Sequence, residues 1–231
     1  MNMEQQQSRK KENYRRQMDE IVARLQAEGR RPRLLLHACC APCSTYCLEL
    51  LTQFFDVTVL FYNPNITEAE EYRKRLEEEQ RLIEIFNRKL TDTSIEISES
   101  RYDPEAFFAM AKGLEKEPEG GERCRKCFTL RLNEAARVAA AQSFDFFTTT
   151  LTISPLKNAD VLNEIGQAAG EACGVAFLPS DFKKKNGFLR STQLSEELDL
   201  YRQDYCGCVY SKAERSCAKC RAEASASCSA G

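Results

Sequence analysis

The 231-residue chain has no tryptophan, one histidine and no apolar run long enough to span a bilayer. With His37 alone, histidine-based zinc hydrolases and serine triads that need a spare base are excluded. The polar stretch Met1 to Lys11 lacks the apolar segment of a secretory signal, so a cytoplasmic protein with no membrane partner is expected. Basic excess is missing too: 33 Lys and Arg stand against 35 Asp and Glu, a net charge of −2. Any RNA contact must therefore come from a local basic patch. Internal repeats are absent.

What the chain has in quantity is cysteine, twelve of them. A small secreted protein would use so many as a disulfide framework. In a chain of this length without a leader they serve metal or redox chemistry, or pack as small apolar side chains.

Hydrophobic periodicity predicts strands and helices in alternation. Residues 1–30 read as a charged amphipathic extension, with Met18, Ile21 and Leu25 on one helical stripe and Gly29 to Pro32 ending it. Leu34 to Leu36 reads as a buried strand, followed after Pro42 by a helix carrying Tyr46, Leu48 and Leu51. Asp56 to Tyr62 is a second strand, and Thr67 to Leu90 a long helix with Thr67 as its N-cap. Ser94 to Ser98, Phe144 to Leu151 and Val175 to Leu178 complete the strands. Pro104 to Lys112, Cys127 to Gln142 and Ala159 to Cys173 complete the helices, with a loop over Lys116 to Glu122. A mixed segment runs to Tyr210, and the Ala-, Ser- and Cys-rich tail 212–231 has no core signal, reads as disordered and is expected to be dispensable. The order predicts a single α/β domain over 31–211, a parallel sheet with helices on both faces, whose ligands sit at the carboxyl ends of the strands.

Three cysteine groups fall at such places. Cys39 and Cys40 end the first strand, with Cys43 and Cys47 following one helical turn apart. Cys124 and Cys127 form a CxxC at the start of a helix, where free N–H groups favour thiolates. These two groups can supply four ligands to one metal, and spacing alone does not choose between iron and zinc. Cys206 and Cys208, separated by Gly207, can bridge only through a tight, easily reduced ring, which suits a redox-active pair; free thiols or metal ligands are the alternative. Cys47 and Cys173 read as packing residues, Cys217, Cys220 and Cys228 as tail cysteines, and His37 as a hydrogen-bonded core residue.

The blocks Leu36-His37-Ala38-Cys39-Cys40-Ala41-Pro42-Cys43-Ser44, Tyr62-Asn63-Pro64-Asn65-Ile66 and Glu122-Arg123-Cys124 through Cys127-Phe128 resemble the QueH family of epoxyqueuosine reductases. So do Thr149 to Pro155 with Lys157-Asn158, Asp181 to Lys184, and Tyr201 to Cys208. The resemblance implies a Rossmann-like fold of the nucleotide alpha hydrolase kind. It implies a [4Fe–4S] cluster on Cys39, Cys40, Cys124 and Cys127, a redox-active pair at Cys206 and Cys208, and a further iron beside the cluster. The implied reaction is the two-electron deoxygenation of epoxyqueuosine in tRNA to queuosine, with a separate electron donor. Lys157, Lys183, Lys184, Lys185, Arg190 and Arg202 are candidates for the tRNA-facing patch, and Tyr62, Phe188 or Tyr201 for stacking on a base. Tyr205, Asp181 and the thiols are candidate proton donors.

Two rivals remain. A nucleotide-activating tRNA enzyme needs a Gly-rich phosphate loop after the first strand, but Ala38-Cys39-Cys40-Ala41-Pro42 fills that slot and Pro42 has no N–H. A zinc-stabilised RNA-binding module explains four cysteines but not the pair at Cys206 and Cys208.

Overall fold

The computed structural model describes residues 12–217. Five parallel strands, β1 (Arg33–His37), β2 (Asp56–Phe61), β3 (Glu96–Glu99), β4 (Phe146–Thr149) and β5 (Ala176–Phe177), form one sheet in the order β3-β2-β1-β4-β5. Helices α1 (Tyr14–Ala27), α2 (Ala41–Leu51), α3 (Ala69–Asn87), α4 (Pro104–Ala111), α5 (Glu122–Ala141), α6 (Ala159–Cys173) and α7 (Gly187–Glu197) surround it. The predicted single-domain α/β architecture, consistent with a Rossmann-like fold, is what forms.

The two-residue period of a strand divides the core. Leu34 and Leu36 of β1, with Val57 and Val59 of β2, face Met18 and Leu25 of α1, Leu48 and Leu51 of α2 and Leu82 of α3. Leu35 points the other way, with Phe147 and Phe177, against Ala135, Ala136 and Ala139 of α5. Small alanines let α5 lie close to the sheet. Gly166 of α6 does the same, since a Cβ there would fall within 2.4 Å of the Phe177 ring.

Several boundaries differ from the sequence reading. Thr67 is not an N-cap: α3 begins at Ala69, Glu68 is its N-cap, and the Thr67 N–H donates to Gly207 O at 3.2 Å. Helix α5 starts at Glu122, five residues before the predicted Cys127, so both cysteines of the CxxC lie inside it. β4 stops at Thr149 and gives way to a 3-10 turn over Thr150–Ile153. Helix α7 lies in what read as a mixed segment. Its buried residues are Gly187, Ser191, Leu194 and Ser195, so it packs small groups on α2 and shows almost no apolar stripe. The backbone is helical over 209–217, past the predicted end of the ordered chain at 211. Cys220 and Cys228 lie outside the described residues. No helix among the described residues is long and apolar enough to cross a membrane.

Candidate functional site

The strand order reverses between β1 and β4, and the crevice beyond their carboxyl ends is where such sheets bind ligands. Cys39 and Cys40 leave β1 at that point. The Cys39 N–H donates to Thr150 Oγ1 on the turn after β4, at 3.2 Å. Cys40 is the N-cap of α2, and Pro42 fits the first turn because its missing N–H would have had no intrahelical partner there. The N–H groups of Cys43 and Ser44 donate to Cys40 O at 3.1 and 3.2 Å. This single turn brings Cys43 back over the adjacent pair. The three sulfurs lie within 4.8 Å of one another, and Cys39 Sγ is 3.7 Å from Cys40 Sγ.

The opposite wall comes from α5 and the segment after α7. Cys124 and Cys127 occupy the first turns of α5, where the Gly120 N–H donates to Cys124 Sγ at 3.2 Å. Gly207 has φ +118°, and a Cβ there would meet Ile66 Cγ1 at 2.9 Å, so only glycine fits between Cys206 and Cys208. Arg75 donates to Cys206 O at 3.2 Å and Tyr205 O at 3.4 Å, and the Ser211 N–H donates to Cys208 Sγ at 3.3 Å. A cleft of about 160 Å³ is lined by Cys39, Cys40, Cys43, Arg131, Lys157 and Cys206, among others. A smaller apolar cavity of about 20 Å³ is lined by Cys124, Cys127, Cys206 and Cys208. Cys206 and Glu119 line both. The fold therefore gathers all three predicted cysteine groups around two adjoining cavities. The described cysteines are free thiols, Cys206 and Cys208 included.

Charge here is unevenly distributed. Hydrogen bonds from Cys40 and Cys43 hold the Cys39 thiol well below its ordinary range, with Lys157 and Arg131 helping against burial. Cys40 is pushed up to about 12, chiefly because its hydrogen serves Cys39. Burial pushes Cys127 up to about 12 and Cys208 to about 11. Burial opposes the charge on Lys157, yet Cys206, Cys39 and Cys43 outweigh it and raise its pKa. Arg131 is only 1% exposed and donates to Asn63 Oδ1 at 2.6 Å, with no carboxylate in ion-pair range among the described residues. Deeper still, Glu79 is fully buried with no cation paired to it among the described residues, and burial pushes it up to about 8 against the nearby Ser44 hydroxyl.

His37 is a core residue, as expected. Its Nδ1 lies 2.9 Å from Thr149 Oγ1, its Nε2 donates to Tyr62 O at 3.1 Å, and burial with Arg131 nearby lowers its pKa to about 3. The ring is neutral. Cys47 is buried in the core, and Cys173 packs partly buried against the α5 side.

The basic candidates separate. Lys157 and Arg202 line the cleft. Lys183 does not: it pairs with Asp181 at 2.7 Å and donates to Thr152 O at 3.4 Å. Lys185 pairs with Asp19 at 2.8 Å, and Arg190 with Glu49 at 2.6 Å. Lys184 and Lys185 border a different pocket, beside α1. Asp181, paired with Lys183, borders that pocket as well. Tyr62 packs in the core with Leu35 and Leu60 and does not line the cleft. Tyr201 is held by Glu71 at 3.0 Å, whereas Tyr205 lines the cleft. The segment read as a dispensable tail also belongs here. Glu214 accepts from the buried Arg123 at 3.3 Å and from the Glu119 N–H at 3.2 Å, and Arg215 lines the cleft.

Sequence reasoning left Cys43 and Arg131 unassigned. The one-turn spacing from Cys39 and Cys40 was a usable signal for Cys43. Arg131, on a helix full of charged residues, had none.

A profile described as "Epoxyqueuosine reductase QueH" matches residues 34–214. Proteins named epoxyqueuosine reductase QueH are similar over most of the chain. The one from Streptococcus pyogenes serotype M1 is 47% identical, over 86% of this chain and 77% of its own. The one from Staphylococcus epidermidis is 44% identical, over 86% of this chain and 84% of its own. That from Thermotoga maritima is 35% identical, over 79% of this chain and 91% of its own. A thiol-rich crevice at the switch point of a parallel sheet, and matches that span both of its walls, place this chain in the QueH family of epoxyqueuosine reductases, which are oxidoreductases.

Proposed function

We propose that the chain reduces epoxyqueuosine in tRNA to queuosine in the cytoplasm, using a [4Fe–4S] cluster held by Cys39, Cys40, Cys124 and Cys127 and a redox-active pair at Cys206 and Cys208. The observation that carries this reading is the convergence of six such thiols on two cavities that share Cys206.

The donor set fits the cluster. Soft thiolates select iron–sulfur clusters or zinc, and a four-iron cluster is wider than one ion, so its ligands face each other across a gap. Cys39 has its pKa lowered and the other three ligands have theirs raised, so Cys39 gives up its proton most readily when the ligands deprotonate on loading. Arg131, with no carboxylate in ion-pair range among the described residues, matches the negative charge that results. Cys43 leaves one more thiol at the pair, a donor for a further iron. When bound, the cluster supplies single electrons over a tunable range of potential.

The protein's own residues do the rest. Cys206 and Cys208 store two electrons as a dithiol, and Gly207 allows them to close into a disulfide. Arg202 and Arg215 make the mouth of the cleft positive, which suits a phosphate backbone in a protein that is acidic overall. A separate donor returns the electrons.

The test is purification without oxygen, followed by measurement of iron, acid-labile sulfide and zinc, and turnover of epoxyqueuosine-containing tRNA. Brown protein that forms queuosine is expected, with iron and sulfide lost on replacing Cys39, Cys40, Cys124 or Cys127 by Ala. Cys206→Ser and Cys208→Ser should keep the colour and lose most turnover. Colourless protein with stoichiometric zinc would make it the rival RNA-binding module.

A further inference from the structure

Turning an epoxide into an alkene breaks two C–O bonds, forms one C=C bond and takes up two electrons. The oxygen leaves as water with two protons. An epoxide carries no proton of its own, so the cleft has to provide a donor where the oxygen arrives. Of the polar side chains around the cleft, three are committed to protein partners. Arg75 is tied to Glu71, Cys206 O and Tyr205 O. Arg131 serves Asn63 and lies 3.4 Å from His37 Nε2. Glu119 accepts from Ser211 Oγ at 3.3 Å.

Lys157 differs. Its ammonium has three donors, and it makes no hydrogen bond or ion pair with any described residue. It lines the cleft together with Cys39, Cys40, Cys43 and Cys206. The backbone beneath it is fixed. The Lys157 N–H donates to Ser154 O at 3.3 Å, the Leu156 N–H to Ser154 Oγ at 3.3 Å, and Asn158 caps α6 immediately afterwards. A lysine that served only to bind phosphate would need no such position among the thiols.

We propose that Lys157 is a catalytic acid of this site: its ammonium hydrogen-bonds the epoxide oxygen and gives it a proton as the first C–O bond breaks. The proposal rests on the reductase reading. The two electrons come from the cysteine-held redox groups of that reaction, the neutral amine regains its proton from water in the cleft, and solvent supplies the second proton before water departs. An alkoxide is basic enough to take a proton from an ammonium even among thiolates, and a cation fixed beside it stabilises the charge as it develops.

The experiment uses the iron-loaded enzyme and epoxyqueuosine-containing tRNA. Wild-type turnover tests the reductase reading by itself; wild-type enzyme that left this tRNA unchanged would overturn both. Given wild-type turnover, Lys157→Ala should slow single-turnover reduction by about 10²-fold or more, the range of general acid catalysis. Iron and sulfide content, visible spectrum and tRNA affinity should stay at wild-type values, and added methylamine should restore part of the rate in a concentration-dependent way. An unchanged rate, a defect that tracks lost iron, or a loss confined to tRNA affinity would each overturn the proposal. So would a full defect in Tyr205→Phe alongside normal turnover in Lys157→Ala.

Discussion

The two ends of the sheet treat positive charge in opposite ways. At the amino end, Arg31 is 2.7 Å from Asp56 and donates to the carbonyls of Thr52 and Phe55 at 2.7 and 3.1 Å. Arg33 donates to Gln142 O at 2.8 Å, and Asp145 accepts from the Arg33 N–H at 2.9 Å. Arg31 has its counter-charge inside the protein, and Arg33 spends its guanidinium on backbone carbonyls. At the carboxyl end Arg75 keeps Glu71, but Arg131 and Lys157 share the cleft with thiols and have no carboxylate in ion-pair range among the described residues. A buried cation without a counter-charge is costly, so the protein keeps it only where something else supplies the charge. The amino end is built to be stable alone and the carboxyl end to be completed.

The largest test of that contrast is Arg131→Met. Iron loading should stabilise wild type more than the variant, by about 4 kcal/mol, because the cation is matched only in the loaded state. Thermal melts with and without iron measure the difference, and equal gains would break the comparison. Next, Glu79 is the reverse case, a buried acid with no cation paired to it among the described residues. Its pKa is raised in the folded protein, so the folded state is fully favoured below its ordinary value of 4.5 and loses stability as pH rises through about 8. Glu79→Gln has no proton to lose. It should become the more stable form as pH rises, by an amount on the order of 3 kcal/mol near pH 9, seen as a Tm gap that is absent near pH 4.

Third, deleting residues from Ala213 onward should cost about 2 kcal/mol, because Arg123 and the Glu119 N–H both lose Glu214 as acceptor. Denaturant unfolding checks this, and an unchanged midpoint would restore the tail to the dispensable status its composition suggested. The smallest effect is expected at the amino end. Arg31→Met should cost about 1 kcal/mol, the same with and without iron, because its partners are partly exposed and already complete.

The legible parts of the chain were those whose signals are local. Helix α6, bounded by Asn158 and Gly174, has its predicted limits Ala159–Cys173, since an N-cap and a left-handed glycine C-cap are written in neighbouring residues. The strands were found from short apolar runs, and the cysteine groups from their spacing. Helix α7 was not found, because it buries serine and glycine on α2 and presents no apolar stripe. Thr67 is not the cap either: Glu68, one residue later, caps α3, and the Thr67 N–H is bonded to Gly207 O, 140 residues away in sequence. Lys183, in a run of three lysines, looked more like a nucleic-acid contact than Lys157 did, yet Asp181 takes it and the cleft takes Lys157.

By itself, then, the sequence determined the α/β class, the order of the strands and of every helix but α7, and the three groups of thiols, since propensity, capping and spacing act over a few residues. Only the tertiary structure decided which charges meet. It set Cys43 over Cys39 and Cys40, carried Glu214 and Arg215 to the site, and left Arg131 and Lys157 unmatched. Ion pairing and burial depend on distances across elements far apart in the chain, and those are fixed only when β1 and β4 lie side by side.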